Sequence, residues 1–295
     1  MELKLYCPIC QSKELQNYEI LYELRDYEVV RCKRCDLVYV NLTFDEDSLK
    51  KSDYYWAEGF YIKEEKIIRR WFEKEIRKIE RFIPKGRLLD IGCGFGYLLS
   101  EAKRGGWEVY GVEISEKVLN YVKRRGEELN IFWGPLSEAK FEDGYFDLIT
   151  MFDVIEHLSD PDSVINKASK LLKEGGFLVI ETPREESLFK KVAHFTYKLS
   201  RGKVSYLIRS AYNPHPGGHR FGFSHSSITK LLRKNNLSLI KISKQMIIFK
   251  VLMWDTLRKK NIVLKVVYAL LITFFWFLSL ITGMQNRMVV YARKK

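Results

Sequence analysis

The segment that most constrains this chain is Arg87-Leu-Leu-Asp-Ile running directly into Gly92-Cys-Gly-Phe-Gly, with an apolar-patterned helix following at once. A strand that turns on glycines into a helix brings backbone close to whatever lies above the turn. It also aims the unpaired N–H groups of the first helical turn at that ligand. A glycine loop alone could be no more than a tight turn, so its context decides. Strand-like runs fall at 87–91, 107–112, 130–133, 145–151, 176–181, 237–243 and 287–293, and helical patterns near 96–104, 115–125, 161–172 and 225–235. This alternation predicts an α/β domain with seven strands, built on a mainly parallel sheet covered on both faces.

Two acidic residues sharpen the loop. Asp90 stands two residues before the first glycine, where a carboxylate could hold an ammonium group. Glu113 ends the next strand, Trp107-Glu-Val-Tyr-Gly-Val-Glu, where its side chain could accept both hydroxyls of a ribose. The glycines follow Gly-x-Gly-x-Gly, and Tyr97 occupies the last position of the dinucleotide form.

Leu88-Leu-Asp-Ile-Gly-Cys-Gly-Phe-Gly resembles motif I of the class I S-adenosylmethionine-dependent methyltransferases. Phe146-Asp-Leu-Ile-Thr-Met-Phe-Asp-Val-Ile-Glu-His-Leu resembles the fourth-strand motif of their 3-demethylubiquinone O-methyltransferase-like group. Leu171-Leu-Lys-Glu-Gly-Gly-Phe-Leu-Val-Ile resembles the helix and fifth strand of the same fold. The resemblance spans 84–183 closely and 219–243 loosely. It implies a Rossmann-like seven-stranded methyltransferase fold with S-adenosylmethionine as cofactor. Asp90, Gly92, Cys93, Gly94 and Gly96 would surround the methionine end, Glu113 and Ile114 the ribose, and Leu136 the adenine. Phe152 and Asp153, at the end of the fourth strand, would complete the cofactor site. One departure is visible: where many relatives carry Asp after the third strand, Trp133-Gly-Pro-Leu supplies Pro135. Adenine contact would then rest on backbone groups and apolar packing.

Four of the five cysteines form Cys7-Pro-Ile-Cys10 and Cys32-Lys-Arg-Cys35, and the fifth, Cys93, lies in the glycine loop. Two such pairs suit a closed tetrahedral zinc site better than disulfides. A segment of about 40 residues buries too little to be stable without a staple of this kind. The expected organisation is a zinc ribbon over 1–44, a helical linker or lid over 45–83, and a methyltransferase domain over 84–295. Within the last, 182–224 would cap the substrate. The front end followed by Asp36-Leu-Val-Tyr-Val-Asn is similar to the zinc-binding segment that precedes methyltransferase domains in sugar and secondary-metabolite pathways. Tyr54, Tyr55 and Tyr61 match the tyrosine-rich stretch that often follows it.

Transfer of a methyl group to a hydroxyl needs alignment and benefits from a general base, for which histidine is suited. His157, in Glu156-His-Leu at the end of the fourth strand, is one candidate; a histidine packed at a helix start is the bland alternative. His219 is the other, within Asn213-Pro-His-Pro-Gly-Gly-His-Arg-Phe-Gly-Phe-Ser-His. The same stretch brings His215, His219 and His225 to a spacing that a second metal could use. Ser224 could cap the helix that follows.

From Val266 to Asn286 no residue is charged, and Arg258-Lys-Lys, Lys265, Arg287 and Arg293-Lys-Lys flank the run. The segments on either side must share one sheet, which opposes a single membrane crossing. The residues 244–286 are therefore expected to form a hairpin or flat helix dipping into the cytoplasmic leaflet, with Ile247-Ile-Phe-Lys-Val-Leu-Met-Trp as its first arm. Lys190, Lys191, Lys198, Arg201, Lys203 and Arg209 would face anionic lipid. A net charge of +13 suits either a membrane surface or nucleic acid. The fourth strand lacks the Asn/Asp-Pro-Pro-aromatic signature used on base amino groups, which disfavours RNA. The start, Met1-Glu-Leu-Lys-Leu-Tyr, lacks the pattern of a signal peptide. The expected protein is cytoplasmic, peripheral at the membrane face, and methylates a small-molecule acceptor of sugar, lipid-linked glycan or isoprenoid type. An RNA methyltransferase, or a soluble-metabolite enzyme using the apolar run as a dimer interface, are the alternatives.

Overall fold

The computed structural model describes residues 6–41, 58–214, 218–257 and 261–295. The strands are β1 (Tyr18–Glu23), β2 (Glu28–Cys32), β3 (Val38–Val40), β4 (Arg87–Ile91), β5 (Glu108–Glu113), β6 (Asn130–Trp133), β7 (Phe146–Phe152), β8 (Leu172–Pro183), β9 (Phe221–Gly222), β10 (Leu237–Gln245) and β11 (Arg287–Lys294). The α-helices are α1 (Glu58–Lys63), α2 (Glu65–Ile79), α3 (Tyr97–Arg104), α4 (Glu116–Arg124), α5 (Pro161–Leu171), α6 (Leu188–Leu199), α7 (Tyr206–Ala211), α8 (His225–Lys234), α9 (Phe249–Leu257) and α10 (Ile262–Ile281). Tyr54 and Tyr55, like His215, lie outside the described residues.

The main sheet runs β10-β11-β8-β7-β4-β5-β6. Pairing is parallel from β6 across to β8, whereas β11 is antiparallel to both β8 and β10. Local chemistry agrees with the element ends. Asp160 accepts from the Ser163 N–H at 3.1 Å with Pro161 in the first helical turn, which starts α5. Ser224 and Ser227 form a reciprocal capping box that starts α8, the capping role expected of Ser224. The fifth strand of the domain is longer than its apolar run predicts: β8 begins at Leu172 rather than 176, because Leu172 already pairs with Phe146. Gly175 bends it at φ +76°, a backbone region that favours glycine.

Two apolar layers sandwich the sheet. On one side Leu89, Ile91, Ile149, Met151, Ile165, Leu178 and Leu231 pack together, and on the other Leu88, Leu98, Leu99, Leu148, Val179 and Val289. The lid helix α2 buries Ile68, Ile76 and Ile79. It is tied to α3 by Arg69, which bonds Glu65 at 2.8 Å and Glu101 at 2.9 Å.

The ribbon is antiparallel, β1-β2-β3, and its fourth strand is β9, supplied from the far side of the sequence. The residues between β8 and β9 lean on the ribbon as well. Tyr27 donates to the Tyr212 carbonyl at 2.7 Å, Tyr22 bonds His194 Nδ1 at 3.0 Å, and Arg209 pairs with Asp26 at 2.6 Å. Lys190 is buried against Glu185 at 2.6 Å. Lys190 is thus buried within the protein and not on the surface expected to face lipid, whereas Arg209 is partly exposed beside Asp26.

The α9–α10 hairpin projects between β10 and β11. Lys250 anchors α9 to Glu64 at 2.6 Å, and Phe249 packs edge-on to Trp276 with ring centres 5.5 Å apart. Helix α10 buries Ser279 and leaves apolar side chains exposed on several sides, Leu270 at 67% and Ile281 at 81% among them. Among the described residues no helix is long and apolar enough to cross a membrane.

Candidate cofactor and acceptor site

The glycine loop sits between the ends of β4 and β7 and the start of α3. Gly92 and Gly96 both have φ +70°, and Gly94 has φ +49°. A Cβ on Gly92 would stand 2.5 Å from Val154 Cγ2, and one on Gly96 2.7 Å from Leu129 Cδ1. Glycine is thus required twice over, by backbone angle and by crowding. The result is a cradle that backbone forms without side chains. Cys93 contributes backbone alone: its thiol is buried, and burial pushes it well above the usual thiol range.

Glu113 closes the loop's far side. It accepts from the N–H groups of Gly94 at 2.8 Å, Ile114 at 2.8 Å and Ser115 at 3.0 Å. Burial raises its pKa while these three donors oppose the rise, and among the described residues one of the carboxylate's four lone-pair positions, on Oε2, stays open for a hydroxyl donor. Asp90 is buried too, with Oδ1 accepting from the Thr150 hydroxyl at 2.7 Å. Burial, with Thr150 opposing and the Glu113 charge assisting, pushes its carboxyl up to about 7. Ile114 is exposed beside Glu113, whereas Leu136 is buried in the main core.

Just beyond the end of β7 stands a second polar cluster. Glu156 is fully buried; Oε2 accepts from the Thr182 hydroxyl at 2.9 Å, and Oε1 lacks a hydrogen-bond partner among the described residues. Burial raises its pKa to about 7, with Thr182 and the Lys190 charge opposing. His157 Nδ1 lies 2.9 Å from the Gly218 carbonyl. A carbonyl can only accept, so Nδ1 carries a proton, while Nε2 lies 4.0 Å from Glu156 Oε1. The His219 ring stands 4.9 Å from the His157 ring, and burial keeps it neutral far below the usual histidine range. The structure thus gathers Glu156, His157 and His219 within 4.8 Å of one another. His225 instead lies at the start of α8, its N–H donating to Glu186 at 3.0 Å, apart from that trio.

Phe152 meets Trp71 and Phe72 of the lid edge-on, each at 5.7 Å, and so lines the cleft. Asp153 adopts φ +55° and is ion-paired with Arg287. Arg287 also lies 3.9 Å from Glu181, and both of these side chains are buried. Tyr61 stacks on Phe95 with ring centres 5.9 Å apart, and Arg287, Glu181 and Glu156 all act electrostatically on its phenol, which burial pushes up. The sequence did not single out Glu181 or Thr182, and marked Arg287 only as a basic residue flanking the apolar run. The only hint was their charge or polarity inside apolar strands, which is expensive unless paired.

The four ribbon cysteines bring their sulfurs within 4.8 Å of one another, with Cys7–Cys35 at 3.3 Å and Cys10–Cys32 at 3.4 Å.

A family model described as a methyltransferase domain matches residues 63–242. A ubiquinone biosynthesis O-methyltransferase of Pelagibacter ubique is 30% identical over 185 residues, 62% of this chain and 72% of that one. The Bordetella avium enzyme of the same description is 33% identical over 112 residues, 36% of this chain and 46% of that one. The chain spans less than half the length of most of the curated relatives it matches. Among solved structures, a geranyl diphosphate C-methyltransferase from Streptomyces coelicolor superposes with a TM-score of 0.52 at 14% identity, covering 86% of this chain and 89% of that one. A methyltransferase from Thermotoga maritima gives 0.50 at 19%, covering 80% and 97%. These structural likenesses speak to the fold, and the family model together with the sequence relatives speaks to descent. The chain belongs to the class I S-adenosylmethionine-dependent methyltransferases.

Proposed function

We propose that this protein transfers a methyl group from S-adenosylmethionine to a hydroxyl of a small acceptor delivered from a membrane, with His157 as general base. One observation carries the chemistry: the Gly218 carbonyl takes a hydrogen bond from His157 Nδ1, which leaves Nε2 as the nitrogen to act as base, 4.0 Å from the buried Oε1 of Glu156. The cofactor supplies a methyl group on a sulfonium, whose thioether is the leaving group. Gly92, Gly94 and Gly96 would receive its methionine end, Asp90 its ammonium and Glu113 its ribose hydroxyls. His157 Nε2 would take the proton of the acceptor hydroxyl as that oxygen receives the methyl group. Phe152 and the lid aromatics Trp71 and Phe72 exclude water on that side. The Pelagibacter relative is itself an O-methyltransferase of ubiquinone biosynthesis.

The four cysteines suit a structural zinc ion. The edge of a tetrahedron with bonds of about 2.3 Å is about 3.8 Å, so the sulfurs need spread by only a few tenths of an ångström.

Delivery from the membrane is supported by α10, whose apolar side chains are too exposed for a helix that meets only water. At its foot a cleft of about 490 Å³ is lined by Lys78, Arg81, Lys241 and Lys244 together with Leu280. Cations beside an apolar helix suit anionic headgroups beside acyl chains.

Incubation of the protein with methyl-labelled cofactor and a lipid extract tests the reading. Label should enter a lipid-phase product, and His157→Ala should slow this roughly 100-fold or more while S-adenosylhomocysteine binding stays unchanged. Label appearing only in water-soluble metabolites would refute membrane delivery. Full activity in His157→Ala would refute the base.

A further inference from the structure

The segment Gly218–Ser224 is a strap with partners on both sides. Toward the sheet, the N–H groups of Arg220 and Phe221 donate to the Glu156 carbonyl at 2.8 and 3.2 Å, and the Gly218 carbonyl accepts from His157 Nδ1 at 2.9 Å. Toward the ribbon, the Val40 N–H donates to the Arg220 carbonyl at 2.9 Å, and Val38 and Tyr39 of β3 pair with Gly222 and Phe221 of β9. The Ser224 hydroxyl donates to Asp36 Oδ2 at 2.6 Å, and Asp36 directly follows Cys35. A two-residue strand cannot set its own register, so its neighbours must.

The cap could in principle hold the strap without help. Lys190 and Tyr212 press on Gly222, where an added Cβ would stand 2.7 Å from Lys190 Nζ and 3.0 Å from the Tyr212 hydroxyl. Yet Tyr212, His194 and Arg209 of the cap themselves bond to Tyr27, Tyr22 and Asp26 of the ribbon. These two routes to the strap begin on the same module, and a third, the Glu185 N–H donating to the Phe223 carbonyl at 3.0 Å, comes from the end of β8 and holds the strap's far end. The cofactor cradle differs: the bonds that fix Asp90 and Glu113 come from Thr150, Gly94, Ile114 and Ser115, none of them ribbon residues.

We infer that the cysteine ribbon is a positioning element of the acceptor site: through β3 it sets the strap, and through the strap the direction of His157 Nε2. Loading of its four cysteines with metal should then act on the acceptor side and spare the cofactor side. This rests on the reading of His157 as base and of the cysteines as zinc ligands, and extends it to how the two are joined. Val40 and Arg220 are positioning residues here, since neither is placed against the reacting atoms.

The test uses the full chain with ¹⁵N-labelled histidine and S-adenosylhomocysteine as the cofactor probe, before and after zinc removal by a chelator. Removal should leave S-adenosylhomocysteine affinity unchanged. It should cut hydrogen-exchange protection at the Arg220 and Phe221 amides by about tenfold or more. The His157 nitrogen signals should lose the pattern of a single Nδ1-protonated tautomer. Val40→Pro deletes the N–H that bonds Arg220 and touches no cysteine; it should reproduce the histidine change while metal analysis still finds one zinc. If His157 and the two amides behave identically with zinc, without it and in Val40→Pro, the ribbon positions nothing and the inference fails. If chelation also abolishes S-adenosylhomocysteine binding, the ribbon supports the whole fold and the selective coupling is wrong. Wild type without zinc overturns this inference together with the metal reading. Wild type that holds zinc but not S-adenosylhomocysteine overturns the methyl-transfer reading alone.

Discussion

Asp90 shows how a single buried carboxyl can make cofactor binding depend on pH. With its pKa raised to about 7, chiefly by burial, it is largely protonated in the free protein at pH 6. A bound ammonium would favour the ionised form and draw the pKa down. Affinity for S-adenosylmethionine should therefore rise as pH climbs toward about 7 and level off above it. Calorimetry near pH 6.5, in two buffers of different ionisation enthalpy, should detect a proton released on binding, and Asp90→Asn should abolish the release. No release from wild type would detach Asp90 from the ammonium. In stability the sign runs the other way. Between its unfolded value near 4 and its folded value, the native state holds the proton more tightly, so Asp90 costs stability as pH rises through that window. The glycine loop, Asp90 and Glu113 were legible in the sequence because they lie within one strand–loop–helix unit and its neighbour. The Arg287–Asp153 pair was not, since its members stand 134 positions apart and meet only through strand order.

At the scale of elements, the α9–α10 hairpin makes the most exposed demand on its surroundings. Its legibility in the sequence was high: an uncharged run between two strands of one sheet leaves few forms other than helices that leave and return. The direction it points and the basic cleft at its foot needed the structure, because Lys78 and Arg81 come from α2 and its end while Lys241 and Lys244 come from β10. Deleting 250–283 and joining the ends with a short Gly-Ser turn should release the protein from anionic vesicles in a sedimentation assay and leave S-adenosylhomocysteine binding intact. Pelleting of wild type should weaken with added salt as Lys and Arg contacts are screened, with a residue of binding through the apolar side chains. Wild type that stays in the supernatant, and whose dimer the deletion makes monomeric, would place a second copy of the chain on α10 instead of lipid.

Across the whole molecule, the N-terminal module proves continuous with the catalytic domain in hydrogen bonding, although the sequence reads as ribbon, lid and domain in succession. Cysteine spacing made the module legible. Its docking strand was not, because Phe221-Gly222 is too short to show a strand's alternation. Metal should therefore contribute stability beyond the ribbon itself. Cys7→Ser should cost the zinc, measured by metal analysis, and lower the melting temperature by several degrees. Cys93→Ala should leave zinc content unchanged, since Cys93 belongs to the glycine loop. Loss of zinc in Cys93→Ala, or its retention without change in Cys7→Ser, would break the assignment.

Strand β11 lies between β8 and β10, although it follows the hairpin in the chain. During synthesis β8 and β10 therefore leave the ribosome with a vacant lane between them, and α10 emerges before the strand that fills it. In that interval the nascent chain carries two unsatisfied sheet edges beside an apolar helix, a combination prone to mispairing and aggregation. A lipid surface reached at this stage would shelter the helix while the lane waits. If lipid is what α10 meets, as proposed, maturation of the sheet and arrival at the bilayer become one event in time, completed when β11 locks in.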